Sequence, residues 1–526
     1  MKRTLALLAL AALVCLAQPS AMSPDQKLTH ALNRLTFGAR PGDLERVRAM
    51  GLTQWLDEQL HPQSIVENPE LEKRLAPLDT LRMSTAEILR HYPTRQVVKA
   101  ISEGRAEKPT DPFTRAVFEV AATRVKKVEA KSPQPDDTTS PAPPADMPAR
   151  PRERVAWLET LAPEKLVAAL EALPQGQRRR LADLAGPDLR RKLEVLSAPM
   201  QVIPTDLVSG KILRATWSNK QLEEVLVDFW YNHFNVFLEK GADRELVTAY
   251  ERDAIRPHVL GKFKDMLLAT AQSPAMLFYL DNWQSSGAQA PARGAKQTRG
   301  LNENYGRELL ELHTLGVDGG YSQQDVTEVA RCFTGWTLRR PGQGRDFFFN
   351  PRMHDRGEKH VLGKTLEPRG IAEGLQVLDI LAHHPSTAHF IATKLATRFV
   401  ADDPPPSLVS KMEKTFLASD GDLREVMKTM LAASEFWEPA RFNGKLKSPL
   451  EFLVSALRAS GDEVKNPPSL NTLMTKMGQP LYRKAEPTGY SNRGADWMNS
   501  SSLLARMNFA TSLKHAEYGA PDFQRK

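Results

Sequence analysis

Residues 218–237 read SNKQLEEVLVDFWYNHFNVF, and this stretch decides the fold class of the chain. Its apolar side chains recur at intervals of three and four residues, as at Leu222 and Phe229, which is the spacing of one face of an α-helix. Ser218 and Gln221 have the spacing of a capping box, so we expect them to begin the helix. The stretch therefore predicts a helix that buries a broad apolar face.

Three polar side chains, Asn232, His233 and Asn235, interrupt the apolar end of this stretch. A buried imidazole or amide without a hydrogen-bond partner costs about 1–3 kcal/mol. On a helical wheel His233 falls inside the apolar stripe, whereas Asn235 falls on the polar side. We expect His233 to face the interior, either as a hydrogen-bonded core residue or as a metal ligand or acid–base group.

Similar helical periodicity extends over most of the chain, and no strand–helix–strand alternation is found. The sequence predicts a mainly α, multi-helix globular protein with a small β-hairpin or irregular insert near residues 337–363. A stretch after residue 130 lacks aromatic and β-branched aliphatic residues, which is typical of a disordered linker. The expected divisions are a signal peptide at 1–21, an N-terminal helical part at 22–130, a proline-rich linker at 131–152, a helical-array insertion at 153–204 and a main helical lobe at 205–526.

The first 21 residues have the pattern of a secretory signal peptide. Two cations precede an apolar run from Leu5 to Ala17, and Ala21 offers a small residue for cleavage. Val14 before Cys15 disfavours a lipid anchor, which would require a small residue there. We expect export to the periplasm, the cell surface or the medium, with no transmembrane segment once the signal is removed.

Charge and cysteine content limit the function classes. The chain has 71 Lys and Arg against 63 Asp and Glu, a formal net charge of +8, and the cations are dispersed rather than gathered in one stretch. This distribution argues against a nucleic-acid partner. Of the 2 cysteines, Cys15 lies in the expected signal, so Cys332 has no partner for an internal disulfide.

A second polar constellation lies in NENYGRELLELHTLGVDGGYSQQDVTEVARCFTGW, residues 302–336. Helical spacing places Glu303, Arg307 and Glu311 on one polar band and His313 on the opposite side. Ser322 and Asp325 have the spacing of a capping box for the helix that follows. The chain has no Gly-x-Ser-x-Gly elbow, no His-Glu-x-x-His zinc helix and no Cys-x-x-Cys-His haem motif.

The 302–336 stretch resembles the signature of the bacterial domain of unknown function (DUF) 1800 family. Further stretches that are similar to this family are HALNRLTFGARPGDLERVRAMGLTQWLDEQL, DFWYNHFNVF, HDRGEKHVLG, HPSTAHFIATKLATRFV and KSPLEFLVSALRASG. The resemblance implies an exported, largely helical protein, often encoded beside members of the DUF 1501 family, which is similar to the sulfatase and alkaline phosphatase superfamily. It implies no particular activity, and a relative does not supply a mechanism.

The residues themselves support a composite-site hypothesis, in which several polar segments converge in one cleft. Histidines with carboxylates are suited to bind a divalent metal or to act as an acid–base pair, and amides and cations are suited to hold a polar substrate. The catalytic candidates are His233, Glu303, Arg307, Glu308, Glu311, His313, His354 and Asp355. The substrate-binding candidates are Asn232, Asn235, Asn302, Asn304 and Lys359.

Two functions remain open at this level. One is an extracytoplasmic hydrolase that uses this polar site, with or without a divalent metal. The other is a non-catalytic binding or scaffold protein that acts with a DUF 1501-like protein, which the proline-rich segment and the helical array favour. Core histidines and a solvated ion-pair band explain the same pattern without any site, so the sequence leaves open whether the protein is an enzyme.

Overall fold

The computed structural model gives the fold for residues 21–92, 94–129, 143–288, 300–340, 344–464 and 466–514. Side chains are described throughout these ranges except at 124, 126–129, 179, 183 and 512–514. The expected signal peptide, apart from its last residue, and the expected linker up to residue 142 lie outside the described residues.

The N-terminal helices begin at a capping box in which Ser23 and Gln26 exchange hydrogen bonds. Such a box satisfies amide groups that the first helical turn leaves without partners. The helices of this part are α1 (Pro24–Leu35), α2 (Asp43–Met50), α3 (Leu52–Leu60), α4 (Pro69–Leu75), α5 (Thr85–His91), α6 (Arg95–Ser102) and α7 (Pro112–Glu129).

Short helices follow in the region of the expected helical array. Most of them begin with a proline, whose fixed φ and missing N–H suit the first helical position. They are α8 (Pro151–Glu159), α9 (Pro163–Glu171), α10 (Gln175–Leu184) and α11 (Pro187–Ser197). Leu158, Leu170 and Leu193 belong to a separate hydrophobic cluster that also contains Ile88 of α5.

The next helix, α12 (Pro199–Trp217), joins the two hydrophobic clusters. Ile203 belongs to the cluster of the helical array, and Leu207 belongs to the large cluster of the main lobe. The later helices are α13 (Gln221–His233), α14 (Asp243–Ala249), α15 (Phe263–Ala271), α16 (Pro274–Tyr279), α17 (Asn304–Glu308), α18 (Gln323–Cys332), α19 (Ile371–Ala382), α20 (Pro385–Phe399), α21 (Pro406–Ala418), α22 (Leu423–Ala432), α23 (Pro449–Ser460), α24 (Pro467–Lys476) and α25 (Ser500–Lys514).

Two segments of this lobe have the wider π-helical hydrogen bonding, Tyr250–Ile255 after α14 and Leu309–Thr314 after α17. Turns of π-helix are rare and shift the side chains that follow them around the helix axis. Shorter 3₁₀ turns are found at Pro62–Ser64, Asp79–Leu81, Arg256–His258, Asn282–Gln284, Ser434–Trp437, Pro439–Arg441 and Gly494–Trp497.

Two antiparallel hairpins provide the β-structure of the described residues. Strand β1 (Trp336–Leu338) pairs with β2 (Phe347–Phe349), with Trp336 opposite Phe349. Strand β3 (Lys359–Val361) pairs with β4 (Lys364–Leu366). The predicted mainly α fold with a small β insert is confirmed. Among the described residues, no helix combines the length and the apolar character that a membrane span requires.

The start of α13 differs from the expectation. The helix begins at Gln221, and the Ser218 hydroxyl donates to Glu67 Oε2 at 2.7 Å. The Gln221 side chain accepts a hydrogen bond from the Phe37 N–H at 3.1 Å. The predicted capping box is therefore wrong, because contacts with the N-terminal part engage both side chains.

At the end of α13, the positions of His233 and Asn235 agree only in part with those predicted from the helical wheel. His233 is 2% exposed, so its predicted inward orientation is confirmed. Asn235 is also buried, at 1% exposure, and donates to the carbonyls of Lys484 and Glu486 at 3.0 and 2.9 Å. Its predicted polar-side position is wrong, because the helix ends at His233 and the wheel does not extend past it.

Asp243, at the start of α14, is an unpaired carboxyl in the core. It is 0% exposed, and neither carboxyl oxygen has a hydrogen-bond partner among the described residues. Burial raises the pKa of Asp243 well above its ordinary range, with Lys240 opposing the shift. The folded protein therefore binds the Asp243 proton more tightly than the unfolded chain does.

We expect Asp243→Asn to increase the free energy of unfolding at pH 8 by about 1–3 kcal/mol. As the pH rises above the ordinary pKa of aspartate, the unfolded chain gains stability by ionising, whereas the folded carboxyl resists ionisation. The amide removes this difference, so the gain will be smaller at pH 5. Urea unfolding at both pH values measures it, with the exposed Asp318→Asn as control. Equal stability of Asp243→Asn and the parent at pH 8 would contradict the assignment of a raised pKa.

Candidate functional site: a basic cleft

A cleft with several cationic side chains opens between the N-terminal part and the C-terminal helices. It has an empty volume of about 500 Å³, mouth included. Its lining side chains are His30, Asn33, Arg34, Arg398, Asn443, Lys445, Leu446, Lys447 and Glu451. We call this space the basic cleft.

The secondary structure holds the charged walls of the basic cleft in place. Arg34 lies in the last turn of α1, and its guanidinium donates to the Arg441 carbonyl at 2.8 Å. Glu451 belongs to a capping box at the start of α23, where it accepts the Ser448 N–H at 2.8 Å. Arg398, in the last turn of α20, lies 2.6 Å from the other carboxylate oxygen of Glu451. Both oxygens of Glu451 are therefore engaged within the protein.

The remaining cations of the basic cleft are unevenly paired. The Lys445 ammonium donates to Asp402 at 2.6 Å and to the Asn492 carbonyl at 2.7 Å. Lys447 makes no side-chain hydrogen bond or ion pair with a described residue, and Arg34 has no carboxylate within ion-pair distance among them. Arg34 and Lys447 thus present positive charge to the cleft without a direct counter-ion.

Burial changes the titration of these cations. It lowers the pKa of Arg34 to about 10, with Glu451 opposing the shift and Arg398 adding to it. Burial also lowers the pKa of Lys445 and of Lys447. A lowered pKa means that the surroundings disfavour the charged form. The cations of the basic cleft are therefore partly desolvated, and their charged forms are less favoured than those of exposed lysines and arginines.

His30 adds a buried nitrogen to the same wall. It is 1% exposed, and its Nε2 has no hydrogen-bond partner among the described residues. Its ring packs edge-on against Phe436 with the centroids 4.9 Å apart. Burial lowers the pKa of His30 to about 4, and Arg34 adds to the shift, so the imidazole is neutral at pH 7.

A second space lies beside the basic cleft, and both are lined by Arg398, Lys445, Leu446 and Glu451. Its empty volume is about 350 Å³, mouth included. Here the lining changes from cations to amides, a hydroxyl and aromatic rings: Asn232, Ser448, Gln479, Tyr490, Asn492 and Trp497. We call this space the polar arm.

The loop that carries Tyr490 is fixed against the end of α13. The Tyr490 N–H donates to Asn232 Oδ1 at 3.3 Å, and the Tyr490 hydroxyl donates to the Pro480 carbonyl at 2.6 Å. Gly489 has φ of +67°, and a Cβ there would collide with the Asn232 carbonyl. Only glycine permits this close backbone approach. The stretch 218–237 therefore also forms a wall of the polar arm.

Asp228 connects the polar arm to a buried network of charges behind it. It lines the arm, and its carboxylate lies 3.0 Å from the Lys211 ammonium. Lys211 also lies 3.6 Å from Glu251, which accepts the Tyr482 hydroxyl at 2.6 Å. These partners compensate the charge of Asp228, so this wall is a fixed polar surface.

The two predicted core histidines meet elsewhere, in the interior. His233 Nε2 lies 3.0 Å from the His313 carbonyl oxygen, and the ring centroids are 6.3 Å apart. His233 Nδ1 and His313 Nε2 have no hydrogen-bond partner among the described residues. Burial lowers the pKa of His313 to about 3 and that of His233 well below its ordinary range, with Lys394 adding to both shifts. Both imidazoles are therefore neutral at pH 7.

The predicted acidic band lies at the junction of α17 and α18. Glu303 lies 3.4 Å from Arg307 and accepts hydrogen bonds from Gln323 at 2.9 Å and Thr327 at 2.8 Å. These contacts hold the start of α17 against α18, so Glu303 and Arg307 have a structural role.

The two other carboxylates of the band, Glu308 and Glu311, have different surroundings. Glu311 accepts from the Tyr321 hydroxyl at 3.4 Å. Burial raises the pKa of Glu308, Glu311 adds to the shift and Arg307 opposes it. The π-helical turn begins at Leu309, directly after Glu308.

Asn302 and Asn304 stabilise the turn before α17. Asn302 Oδ1 accepts the Asn304 N–H at 2.9 Å, and the Asn304 amide donates to the Leu280 carbonyl at 3.4 Å. The N–H of Asn302 donates to Ser285 Oγ at 3.1 Å. The amide groups of Asn302 and Asn304 are therefore engaged in hydrogen bonds within the protein.

His354, Asp355 and Lys359 form part of another buried cluster, around Glu373. His354 Nε2 lies 3.0 Å from Glu373 Oε1, and the Lys359 ammonium contacts Glu373 Oε2. Lys359 is 0% exposed and also donates to the Asp355 carbonyl at 2.5 Å. Asp355 lies 2.9 Å from Arg331. The cluster closes on itself and fixes hairpin β3–β4 to α18 and α19.

The residues of the composite-site hypothesis thus fall into separate groups. The structure joins His233 with His313, Glu303 with Arg307, and His354 with Asp355 and Lys359, whereas Asn232 is the one candidate that lines the polar arm. Among the described residues, no three His, Cys, Asp or Glu side chains are arranged to hold a metal ion.

Sequence reasoning missed the cations of the basic cleft. Arg34, Arg398 and Lys447 come from distant parts of the chain, and each reads locally as an ordinary charge on a helix or loop. One signal in the sequence pointed to them. Each of the three cations lies in a stretch that carries the family resemblance, at 30–60, 384–400 and 447–461.

Comparison with protein families agrees with that resemblance. The family model described as "Protein of unknown function (DUF1800)" matches residues 30–524. No match is found among curated proteins or among solved structures.

Proposed function

The chain belongs to the DUF1800 family, and from this premise and the geometry of the basic cleft we propose that it is a binding protein for an anionic small ligand. The observation that carries the proposal is the pairing of the cleft's cations. Arg34 and Lys447 face a solvent-accessible space and have no carboxylate partner among the described residues, whereas Arg398 and Lys445 beside them already have one.

An anion in this space would relieve an unfavourable arrangement. Burial disfavours the charged forms of Arg34 and Lys447, so a negative charge between them stabilises both. Hydrogen bonds to charged groups contribute about 1.5–3 kcal/mol each. The guanidinium of Arg34 suits a planar or tetrahedral oxyanion, and the Lys447 ammonium acts as a point charge.

The ligand group supported by this chemistry is a carboxylate, a phosphate or a sulfate. The cleft offers cationic donors in a partly buried setting, where charges are screened less than at the surface. Exposed lysines elsewhere in the chain lack this enclosure and serve as the comparison.

Binding is supported better than catalysis at this place. Glu451, the carboxylate inside the basic cleft, is buried, yet Arg398 and Ser448 hold its pKa below the ordinary value. A general acid needs the opposite shift. The hydrolase hypothesis stays a prediction, and the residues on which it relied lie in other clusters.

We expect inorganic phosphate and sulfate to bind the purified protein at one saturable site, measured by isothermal titration calorimetry. Lys447→Gln will weaken binding about 10- to 100-fold, because it removes one charged contact of about 1.5–3 kcal/mol. The Lys447 side chain has no hydrogen-bond or ion-pair partner in the part of the chain that the structure describes, so we expect the variant to fold. Lys428→Gln is the matched control, since Lys428 is 65% exposed.

Affinity should fall as the pH is raised from 8 to 10. The lowered pKa values of Lys445 and Lys447, and the value of about 10 for Arg34, mean that these cations lose their protons earlier than exposed ones. Absence of saturable binding, or equal loss in Lys447→Gln and Lys428→Gln, would contradict the proposal.

A further inference from the structure

A third cavity lies where the N-terminal part meets the main lobe. Its empty volume is about 680 Å³, mouth included, which exceeds that of the basic cleft and of the polar arm. The side chains that line it come from the beginnings of α6, α12 and α14, from the end of α16 and from the turn between β1 and β2. None of its described lining residues is shared with the basic cleft or the polar arm. We call this space the junction cavity.

One wall of the junction cavity contains a buried arginine that is only partly paired. Arg345 is 7% exposed and has a φ of +57°, in the left-handed region that favours glycine. Its Nη2 donates to Gln96 Oε1 at 2.8 Å. Its Nε lies 3.2 Å from Glu245 Oε2, but neither of these two atoms has a hydrogen-bond partner among the described residues. An N–H group of Arg345 is therefore without an acceptor in the described part of the chain.

A second arginine lies beside this pair. Arg244 lines the junction cavity, is half-buried and makes no side-chain hydrogen bond or ion pair with a described residue. Glu245, at 4% exposure, is the one carboxylate among the described lining residues. Burial raises the pKa of Glu245, and Arg345 and Arg244 oppose the shift. Two guanidinium groups thus lie near a single carboxylate that resists ionisation, so a further negative charge is favoured beside them.

Apolar side chains line another part of the junction cavity, those of Met200, Ala242 and Phe278. Trp283 covers one face of the half-buried Phe278 ring, with the ring centroids 5.6 Å apart and an angle of 14° between the planes. A Cβ at Gly241 would lie 3.1 Å from two atoms of the same ring, so the glycine leaves this side of the ring uncrowded. Apolar walls with a few well-placed polar groups are typical of small-molecule sites.

We propose that the junction cavity binds a small organic anion, with its anionic group between Arg244 and Arg345 and its apolar body against Met200 and Phe278. Guanidinium groups suit a carboxylate because they donate two parallel hydrogen bonds to it. The apolar body is removed from water by the side chains around it, which an inorganic anion would leave hydrated. This site is separate from the anion site proposed in the basic cleft, and neither proposal depends on the other.

The test is calorimetric titration of the full chain with three probes. The first is 2-naphthoate, which has an apolar body and a carboxylate. Acetate has the carboxylate without the apolar body, and 2-naphthylmethylammonium has the same rings with the opposite charge. We expect 2-naphthoate to bind at one saturable site, at least about 10-fold more tightly than either of the other two probes, because it alone matches both kinds of wall.

Two variants assign the contacts of 2-naphthoate. Arg244→Gln will weaken its binding about 10-fold or more, because the change removes a charged hydrogen-bond donor. Phe278→Leu will weaken it about 5-fold, because the leucine keeps an apolar side chain but offers less contact area. Arg369→Gln is the matched control, since Arg369 is 70% exposed. Arg244 has no hydrogen-bond or ion-pair partner among the described residues, so its variant remains informative if Phe278→Leu is unstable.

Lys447→Gln separates the junction cavity from the basic cleft. We expect it to leave the affinity for 2-naphthoate unchanged. If 2-naphthoate binding is lost in Lys447→Gln and kept in Arg244→Gln, the organic anion lies in the basic cleft, so the junction site is overturned and the anion-binding function stands. Equal affinity for 2-naphthoate and acetate, or for 2-naphthoate and 2-naphthylmethylammonium, would also overturn the inference. So would an equal loss in Arg244→Gln and Arg369→Gln, or no binding of 2-naphthoate at all.

Discussion

Lys359→Met will lower the free energy of unfolding by about 3–5 kcal/mol, since it removes the lysine of a buried ion pair and leaves the Glu373 carboxylate without that cation. Lys359 is 0% exposed and contacts Glu373, which is 1% exposed. Methionine keeps the length and apolar stem of the lysine, so the change tests the charge rather than the packing. Urea unfolding of the parent and the variant measures the loss.

A second variant tests the reason for this loss. In Lys359→Met combined with Glu373→Gln the stranded carboxylate is also removed, and we expect part of the stability to return. The amide still accepts the N–H groups of Arg369 and Gly370, each of which lies 2.8 Å from Glu373 Oε1. A loss below about 1 kcal/mol in the single variant would show that the pair is not buried as described.

The buried histidines give a second large effect, on the pH dependence of stability. His313 will destabilise the protein by about 2 kcal/mol between pH 7 and pH 5, and His233 adds a further loss in the same direction. Their folded pKa values are lowered, to about 3 for His313 and in the same direction for His233. As the pH falls below the ordinary histidine value, the unfolded chain takes up protons that the folded protein does not bind.

The measurement is the free energy of unfolding at pH 7 and at pH 5. Other groups also titrate in this range, and Asp243 with its raised pKa acts in the opposite direction. The comparison is therefore made between the parent and His233→Gln combined with His313→Gln, in which the loss from pH 7 to pH 5 should be smaller by at least about 2 kcal/mol. Exposed His389→Gln is the control. An unchanged pH dependence in the double variant would mean that, between pH 7 and pH 5, the two imidazoles take up protons in the folded protein as they do in the unfolded chain.

Local patterns in the sequence were sufficient to predict the helices and some of the residues at which they begin or end. The capping box of Ser322 and Asp325 is present, because both residues are neighbours along the chain and need no distant partner. The inward position of His233 follows from helical periodicity alone. The capping box at Ser218 failed because Glu67 and Phe37, far away in the sequence, engage its two residues.

The candidate site depended on distant contacts and could not be predicted in the same way. Arg34 and Lys447 are more than 400 residues apart in the sequence, yet they line one cleft. The predicted catalytic side chains do belong to polar clusters. Most of their polar groups form hydrogen bonds or ion pairs within those clusters. Export and a DUF 1501-like partner stay predictions, and all but the last residue of the expected signal segment lies outside the described residues.

Anomalous diffraction from crystals of the protein soaked in selenate, a tetrahedral anion that carries a strong scatterer, tests the proposed anion site directly. We expect an anomalous peak in the basic cleft, within hydrogen-bonding distance of Arg34 and Lys447, which is lost in Lys447→Gln crystals. Peaks confined to exposed lysines, with the cleft empty at selenate concentrations that saturate those lysines, would contradict the proposal.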